Sequence, residues 1–241
     1  MSADTGKAAS SRPLHHIFTR IPDRYDLINH VITLGMDNGW RRKAALACLQ
    51  GNPARILDIC CGTGDLAITI AQLAPHTPEI TGADYSQPML EIAAAKAADS
   101  GRQIRFINAD VAQLPFADGY FDCIGISFAF RNLTYKNPLT SVYLNEILRV
   151  LKSGGKFIIV ESSQPENPLL RWLDHIYLSL WVFPAGYLIS GNRGAYRYLA
   201  ESARRFYSAG EMREFLLKAG FKRVAAQLLF FGAAAVYIAE K

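Results

Sequence analysis

The chain has 241 residues and a mass of 26.7 kDa, with 50% hydrophobic and 20% charged side chains. That balance excludes fibrous and disordered architectures and supplies apolar surface for one large core. The net charge of +5 divides into +3 over residues 1–50, −2 over 51–161 and +4 over 162–241. No dense Lys/Arg run interleaves with aromatics, so nucleic acid is not an expected partner.

Residues 1–12 are polar, lack the apolar stretch of a signal peptide, and read as a tail before a single domain over 13–241. Within it, 13–50 is expected to be a helical cap. Apolar residues recur at helical spacing over 25–34 and 37–49, with Gly35 as the stop between them. From residue 55 the rhythm changes. Strands are expected at 55–60, 80–85, 104–109, 121–127 and 156–161, and helices at 65–73, 87–98 and 137–151. Because these strands are apolar rather than alternating, they argue an α/β fold with a parallel sheet covered on both faces.

Beyond Glu161 a helical insertion over 162–205 is expected, led by an amphipathic helix at 169–183 with Leu169, Leu173, Ile176, Leu180 and Phe183 on one face. A helix at 208–219 follows. Two strand-like runs, 224–231 and 233–239, meet at Gly232 and should pair antiparallel. The most membrane-like stretch, 176–189, contains Pro184 and Gly186 and is too short to cross a bilayer. Cys48, Cys60, Cys61 and Cys123 have no metal-ligand spacing, so buried thiols of a reducing, cytoplasmic compartment and no metal site are expected.

Chemistry concentrates at Asp58-Ile59-Cys60-Cys61-Gly62-Thr63-Gly64-Asp65, a strand ending in a Gly-x-Gly turn that opens a helix. Gly62 and Gly64 let a ligand lie against bare backbone at the carboxyl edge of the sheet. The spacing to Ala67 also satisfies the dinucleotide fingerprint, which alone is a weak signal. Asp65, in the first helical turn, would repel a pyrophosphate there. S-adenosylmethionine has no phosphates and carries a sulfonium cation, so acids beside it are favourable. Asp84, at the end of the second strand, is placed to accept both ribose hydroxyl hydrogens, and Asp110, after the third, the adenine amino hydrogen.

These residues resemble the UbiE/MenG family of quinone-biosynthesis C-methyltransferases, from about Phe18 to the C-terminus. The resemblance is carried by Arg24-Tyr25-Asp26-Leu27-Ile28-Asn29, the Gly62–Asp65 turn, Leu114-Pro115-Phe116, Ile126-Ser127-Phe128 with Arg131-Asn132, Arg149–Lys152 with Gly154-Gly155, and Tyr196–Ser202. It implies a Rossmann-like class I methyltransferase fold with seven strands in the order 3-2-1-4-5-7-6, the last antiparallel. It also implies S-adenosylmethionine as cofactor, held by Thr63, Asp84, Asp110, Val111 and Ser127, and a lipid-tailed quinol as substrate. Ala129, Phe130 and Tyr237 depart from the family's pattern and are expected to put bulkier side chains beside the substrate.

Methylation of a ring carbon needs a phenolate, and a phenol titrates near 10. Arg131 stays protonated and is assigned to stabilising that anion, with Asn132 orienting a hydroxyl or water that removes the proton. Tyr25 and Asn29, one turn apart, would close the site. The alternatives are that Arg131 pairs with a surface acid and that Tyr25 only packs. Other acceptors stay open: another small aromatic molecule methylated at carbon or oxygen, or an amino group of nucleic acid or protein. A ligand-binding module without catalysis stays open as well. The aromatics Trp172, Tyr177, Trp181, Phe183 and Tyr187 suggest an apolar mouth at the inner face of a membrane, with a homodimer interface as the competing reading.

Overall fold

The computed structural model describes residues 22–190 and 193–241; the 1–12 tail and the first part of the expected cap lie outside the described residues. Two helices lead in, α1 (Pro22–Ile32) and α2 (Met36–Cys48). The chain turns between them with Gly35 at φ 76°, a left-handed conformation that glycine adopts without strain.

Seven strands follow: β1 (Arg55–Ile59), β2 (Glu79–Asp84), β3 (Arg105–Asn108), β4 (Phe121–Ser127), β5 (Leu151–Ser162), β6 (Arg223–Leu229) and β7 (Ala234–Glu240). They form one sheet in the order β3-β2-β1-β4-β5-β7-β6. β7 runs antiparallel to both β5 and β6, and the other pairs are parallel. This is the topology that the family resemblance implied. The connecting helices are α3 (Asp65–Leu73), α4 (Gln87–Asp99), α5 (Phe130–Thr134) and α6 (Thr140–Val150).

Strand β5 explains why the apolar runs do not alternate. Phe157 and Ile159 enter one core with Phe121, Phe130 and Tyr237, while Ile158 and Val160 enter the other with Ile56, Leu66 and Ile70. Successive side chains point to opposite faces, and both faces are covered. Each such side chain contributes about 1.5–3 kcal/mol of burial.

Several boundaries differ from the sequence reading, among them that of β5, which starts at Leu151 rather than at Lys156. The helix expected from Asn137 begins at Thr140, because the Asn137 side chain accepts the Leu139 N–H (3.0 Å) and makes a turn instead. The run 224–231 ends at Leu229, and residues Phe230–Gly232 form a short 3-10 turn. The single helix expected at 169–183 is a chain of segments: α7 (Pro168–Tyr177), a π turn (Leu178–Val182) and α8 (Phe183–Ser190). Asn167 caps α7 by accepting the Leu169 and Leu170 N–H groups. The Phe183 N–H donates five residues back to Leu178, a wide turn set just before Pro184, which has no N–H to give. Helix α9 (Arg193–Arg204) and helix α10 (Ala209–Lys218) follow.

The insertion packs on the cap. Ile28 and Ile32 of α1 form a third apolar cluster with Val182 and Tyr196. Gly186 permits close approach of α9, since a Cβ there would stand 2.0 Å from the Tyr196 ring.

Candidate functional site

The carboxyl edge of the sheet carries a crevice and, beside it, an apolar pocket. The crevice is built on the turn after β1. Cys60 (φ 50°), Gly62 (φ 53°) and Gly64 (φ 81°) are left-handed, and the strain at Cys60 sits where a functional turn would hold it. The two glycines have different reasons. At Gly64 a Cβ would press on Ala93 (3.0 Å) and Phe106 (3.1 Å), whereas at Gly62 it would meet nothing within 4 Å, leaving the backbone open to a ligand.

Asp84, the last residue of β2, accepts the Gly62 N–H through Oδ2 (2.9 Å) and the Ser86 N–H through Oδ1 (2.8 Å). The Tyr85 backbone adds a third donor, and burial pushes the carboxyl up against all three. Ser127, at the end of β4, lines the crevice with its Oγ buried and unbonded. Thr63 lines it too, its hydroxyl donating to Asp26 on α1 (2.6 Å). Asp110 lies two residues past β3 at the same edge, where it accepts the Ala112 N–H (3.0 Å), and the Val111 side chain belongs to the larger core. Neither lines the crevice.

Asp58, at the head of the motif, has a place in the site that the sequence alone does not signal. It is buried on β1 and accepts the Ala67 N–H through Oδ2 (3.0 Å), while its Oδ1 is buried without a partner. Burial pushes its carboxyl well up, and a neighbouring cation would draw it back. An open glycine turn, an unbonded hydroxyl and two acids that gain from a cation fit S-adenosylmethionine.

The expectation for Asp65 needs correction. It is not a bare charge at the helix terminus: Arg41 lies 3.4 Å from it and Lys96 bonds it directly. Its repulsion of a pyrophosphate is therefore largely answered. Lys96 also reaches Asp26 (2.8 Å), so α1, α3 and α4 are latched together over the crevice. Against burial, which lowers it, Asp65 and Asp26 hold the Lys96 ammonium above its ordinary value.

The apolar pocket is walled by Trp40, Met89, Tyr177, Leu178 and Tyr198, with Arg131 and Asn132 of α5 at one side; Asn29 and Phe128 line both pocket and crevice. Arg131 does pair with an acid, but a buried one that the sequence did not reveal. Its Nη1 donates to Glu161 Oε1 (3.1 Å) and its backbone N–H to Glu161 Oε2 (3.0 Å). The two side chains are 9% and 0% exposed, and the Arg131 Nε is left without a partner. Ser162 adds a hydroxyl to the same guanidinium.

Tyr25 falls on α1, but its side chain lies outside the described residues. Phe130 and Tyr237 do not wall the pocket: both are fully buried in the larger core, with Ala129 packed against it. Burial pushes the Tyr237 hydroxyl up to about 12, and it donates to Ser163 (3.3 Å). Of the stretch 128–130, it is Phe128 that lines the pocket. Cys48 and Cys123 are buried as expected, but Cys60 and Cys61 are half-buried and line the crevice. Among the described residues no helix is long and apolar enough to cross a membrane.

Comparison with known proteins matches residues 6–241 to the ubiE/COQ5 methyltransferase family. The chain is 40% identical over 226 residues to a demethylmenaquinone methyltransferase from Thermus thermophilus, covering 93% of this chain and 100% of that one. It is 34% identical over 236 residues to the ubiquinone/menaquinone biosynthesis C-methyltransferase UbiE of Pseudomonas putida, covering 97% and 91%. Among solved structures, a SAM-dependent methyltransferase from Aquifex aeolicus superposes with a TM-score of 0.55 at 19% identity, over 78% of this chain and 81% of that one, a likeness of fold.

Proposed function

The chain belongs to the ubiE/COQ5 methyltransferase family, and from that premise we propose that it transfers a methyl group from S-adenosylmethionine to a ring carbon of a polyprenyl quinol in quinone biosynthesis. The relatives' names supply the acceptor class. The observation that carries the reading is the apolar pocket sharing Asn29 and Phe128 with the crevice, with Arg131, paired to the buried Glu161, on its wall.

Bound S-adenosylmethionine supplies an electrophilic methyl group. The chain's own residues do the rest. Gly62, Thr63, Gly64 and Ser127 shape the crevice, Asp84 holds the ribose, and Asp110 and Val111 meet the adenine. Arg131, fixed by Glu161, turns its uncommitted guanidinium donors toward a developing phenolate, where preorganised donors act most strongly. Asn132 orients the hydroxyl or a water, and Tyr25 and Asn29 close the site. The cap and the 162–205 insertion form the acceptor's side of a single domain.

A polyprenyl quinol resides in lipid, so the enzyme meets it at the inner face of a membrane. Leu169, Trp172, Leu173, Leu180 and Leu188 are all exposed, and no residue of α7 is buried. This face, in the third of the chain that carries +4, suits an anionic lipid surface.

Incubation with S-adenosylmethionine and a panel of chemically reduced quinones, read by mass spectrometry, should show a gain of one methyl. Activity should require the reductant, because only the quinol has a nucleophilic ring carbon. Equal turnover of the oxidised quinone with reduction excluded, or methylation of other aromatics and no quinol, would overturn the reading.

A further inference from the structure

We propose that Asp174 is the base that takes the proton from the acceptor's ring hydroxyl, a catalytic role that rests on the quinol reading above. Asp174 lies on α7 and lines the same apolar pocket as Arg131, Asn132 and Tyr198.

The other carboxylate lining that pocket, Asp37, and Glu161 behind Arg131 are both committed. Asp37 accepts from Arg41 (2.8 Å), His30 (3.1 Å) and Thr33 (3.1 Å), and against the burial that raises it these partners hold its carboxyl low. Glu161 is consumed by Arg131 and Ser162. The Asp174 carboxylate has no hydrogen-bond or ion-pair partner among the described residues, although the residue is half-buried. A carboxylate in an apolar wall without a partner is costly unless a ligand uses it. Arg131, permanently protonated, can stabilise an anion but cannot generate one.

Burial pushes the Asp174 carboxyl up to about 6. Against an ordinary aspartate near 3.8, that makes proton transfer from a phenol about a hundredfold less unfavourable. The surrounding groups leave this titration legible. Burial and the Asp174 charge hold the Tyr177 hydroxyl up to about 12, and burial also raises Tyr198. Arg171 on α7 and Arg204 on α9 are cations that act on the neighbouring His175, Tyr196 faces the pocket from α9, and Arg131 is paired. His175 is the other group titrating nearby, held down by burial and those two arginines, and it bonds Gln164 (2.8 Å) rather than lining the pocket.

The step balances. The O–H bond breaks, its electron pair stays on oxygen and its proton goes to an Asp174 oxygen. The ring's electron pair forms the new C–C bond at the ortho carbon while the S–C pair departs with sulfur. The hydrogen on the methylated carbon then passes as a proton to the ring oxygen, and Asp174 returns its own proton to water, so one proton is released per methyl.

The test is a pH profile of kcat on a reduced quinone. Wild type should fall tenfold per pH unit below about 6, and His175→Asn should keep that limb. Asp174→Asn should lose the limb and about 10²–10⁴-fold in kcat, with cofactor affinity unchanged by calorimetry. In Asp174→Ala, added formate or acetate should restore turnover in proportion to its concentration, which a merely structural role would not allow. Normal kcat with an unaltered limb in Asp174→Asn, or no rescue in an Asp174→Ala protein that binds cofactor normally, would overturn the assignment. A wild type that methylates no quinol would instead remove the functional reading, and the assignment with it.

Discussion

Replacing Glu161 with alanine isolates the interaction on which the acceptor wall depends. The carboxylate is fully buried and accepts from the Arg131 guanidinium (3.1 Å), the Arg131 N–H (3.0 Å), the Ser162 N–H (2.8 Å) and the Ser162 hydroxyl (2.9 Å). Its removal strands a guanidinium that is 9% exposed. Exposed ion pairs contribute about 0–1 kcal/mol, but breaking a buried pair from one side costs about 3–5 kcal/mol because the surviving charge is left desolvated. At about 2–4 °C per kcal/mol for a chain of this size, Tm should fall by roughly 6–20 °C. Urea unfolding at pH 7, followed by tryptophan fluorescence and circular dichroism, gives the free energy directly. Glu161→Gln keeps one acceptor oxygen and should lose less. The double variant Arg131→Met, Glu161→Leu should recover much of the loss, since an apolar pair replaces a buried ion pair at little cost. A Glu161→Ala protein destabilised by under about 1 kcal/mol would refute the pairing as described.

Asp84→Ala should weaken S-adenosylmethionine binding at least tenfold by calorimetry, since it removes charge-assisted hydrogen bonds of about 1.5–3 kcal/mol each and loosens the Gly62 turn it holds. Asp174, raised in the fold to about 6, favours the folded state fully below the unfolded value near 3.8 and loses that contribution as pH rises through 6. Asp174→Asn should therefore raise Tm more at pH 8 than at pH 5; an equal change at both would contradict the perturbed titration. Leu180→Ser and Trp172→Ser, at positions 74% and 59% exposed, should weaken sedimentation with anionic vesicles while the fold persists. Vesicle binding that is absent at every composition, with a dimer dissociated by the same substitutions, would assign this face to a second copy.

The strands were legible because the apolar runs follow directly from two-sided burial, as Phe157 to Val160 illustrate. The family motifs carried the sheet order. What escaped depended on partners distant in sequence. Glu161 reads as the polar end of a strand, and only the β4–β5 pairing brings it to Arg131, 30 residues away. Helix α5 has five residues, too few for helical periodicity to register. Phe130 stands directly before the pocket residue Arg131, yet the turn at Phe128 (φ 54°) sends it into the core. The place of Asp65 on its helix does not show that Arg41 and Lys96, from two other helices, offset its charge.

Phe128 and Asn29 are the residues common to the crevice and the pocket. The crevice otherwise draws mostly on the sheet edge and its first crossover, while the pocket draws heavily on segments attached before and after that unit. Donor recognition and acceptor recognition thus occupy separable parts of the chain, joined at a narrow seam. Drift in the insertion can alter tail length or ring shape without disturbing the donor turn, so a lineage can change its acceptor by small steps while every intermediate still binds the donor. A change at the seam has no such freedom. At Phe128 it would alter both chambers at once, and the left-handed backbone there restricts which side chains can take its place.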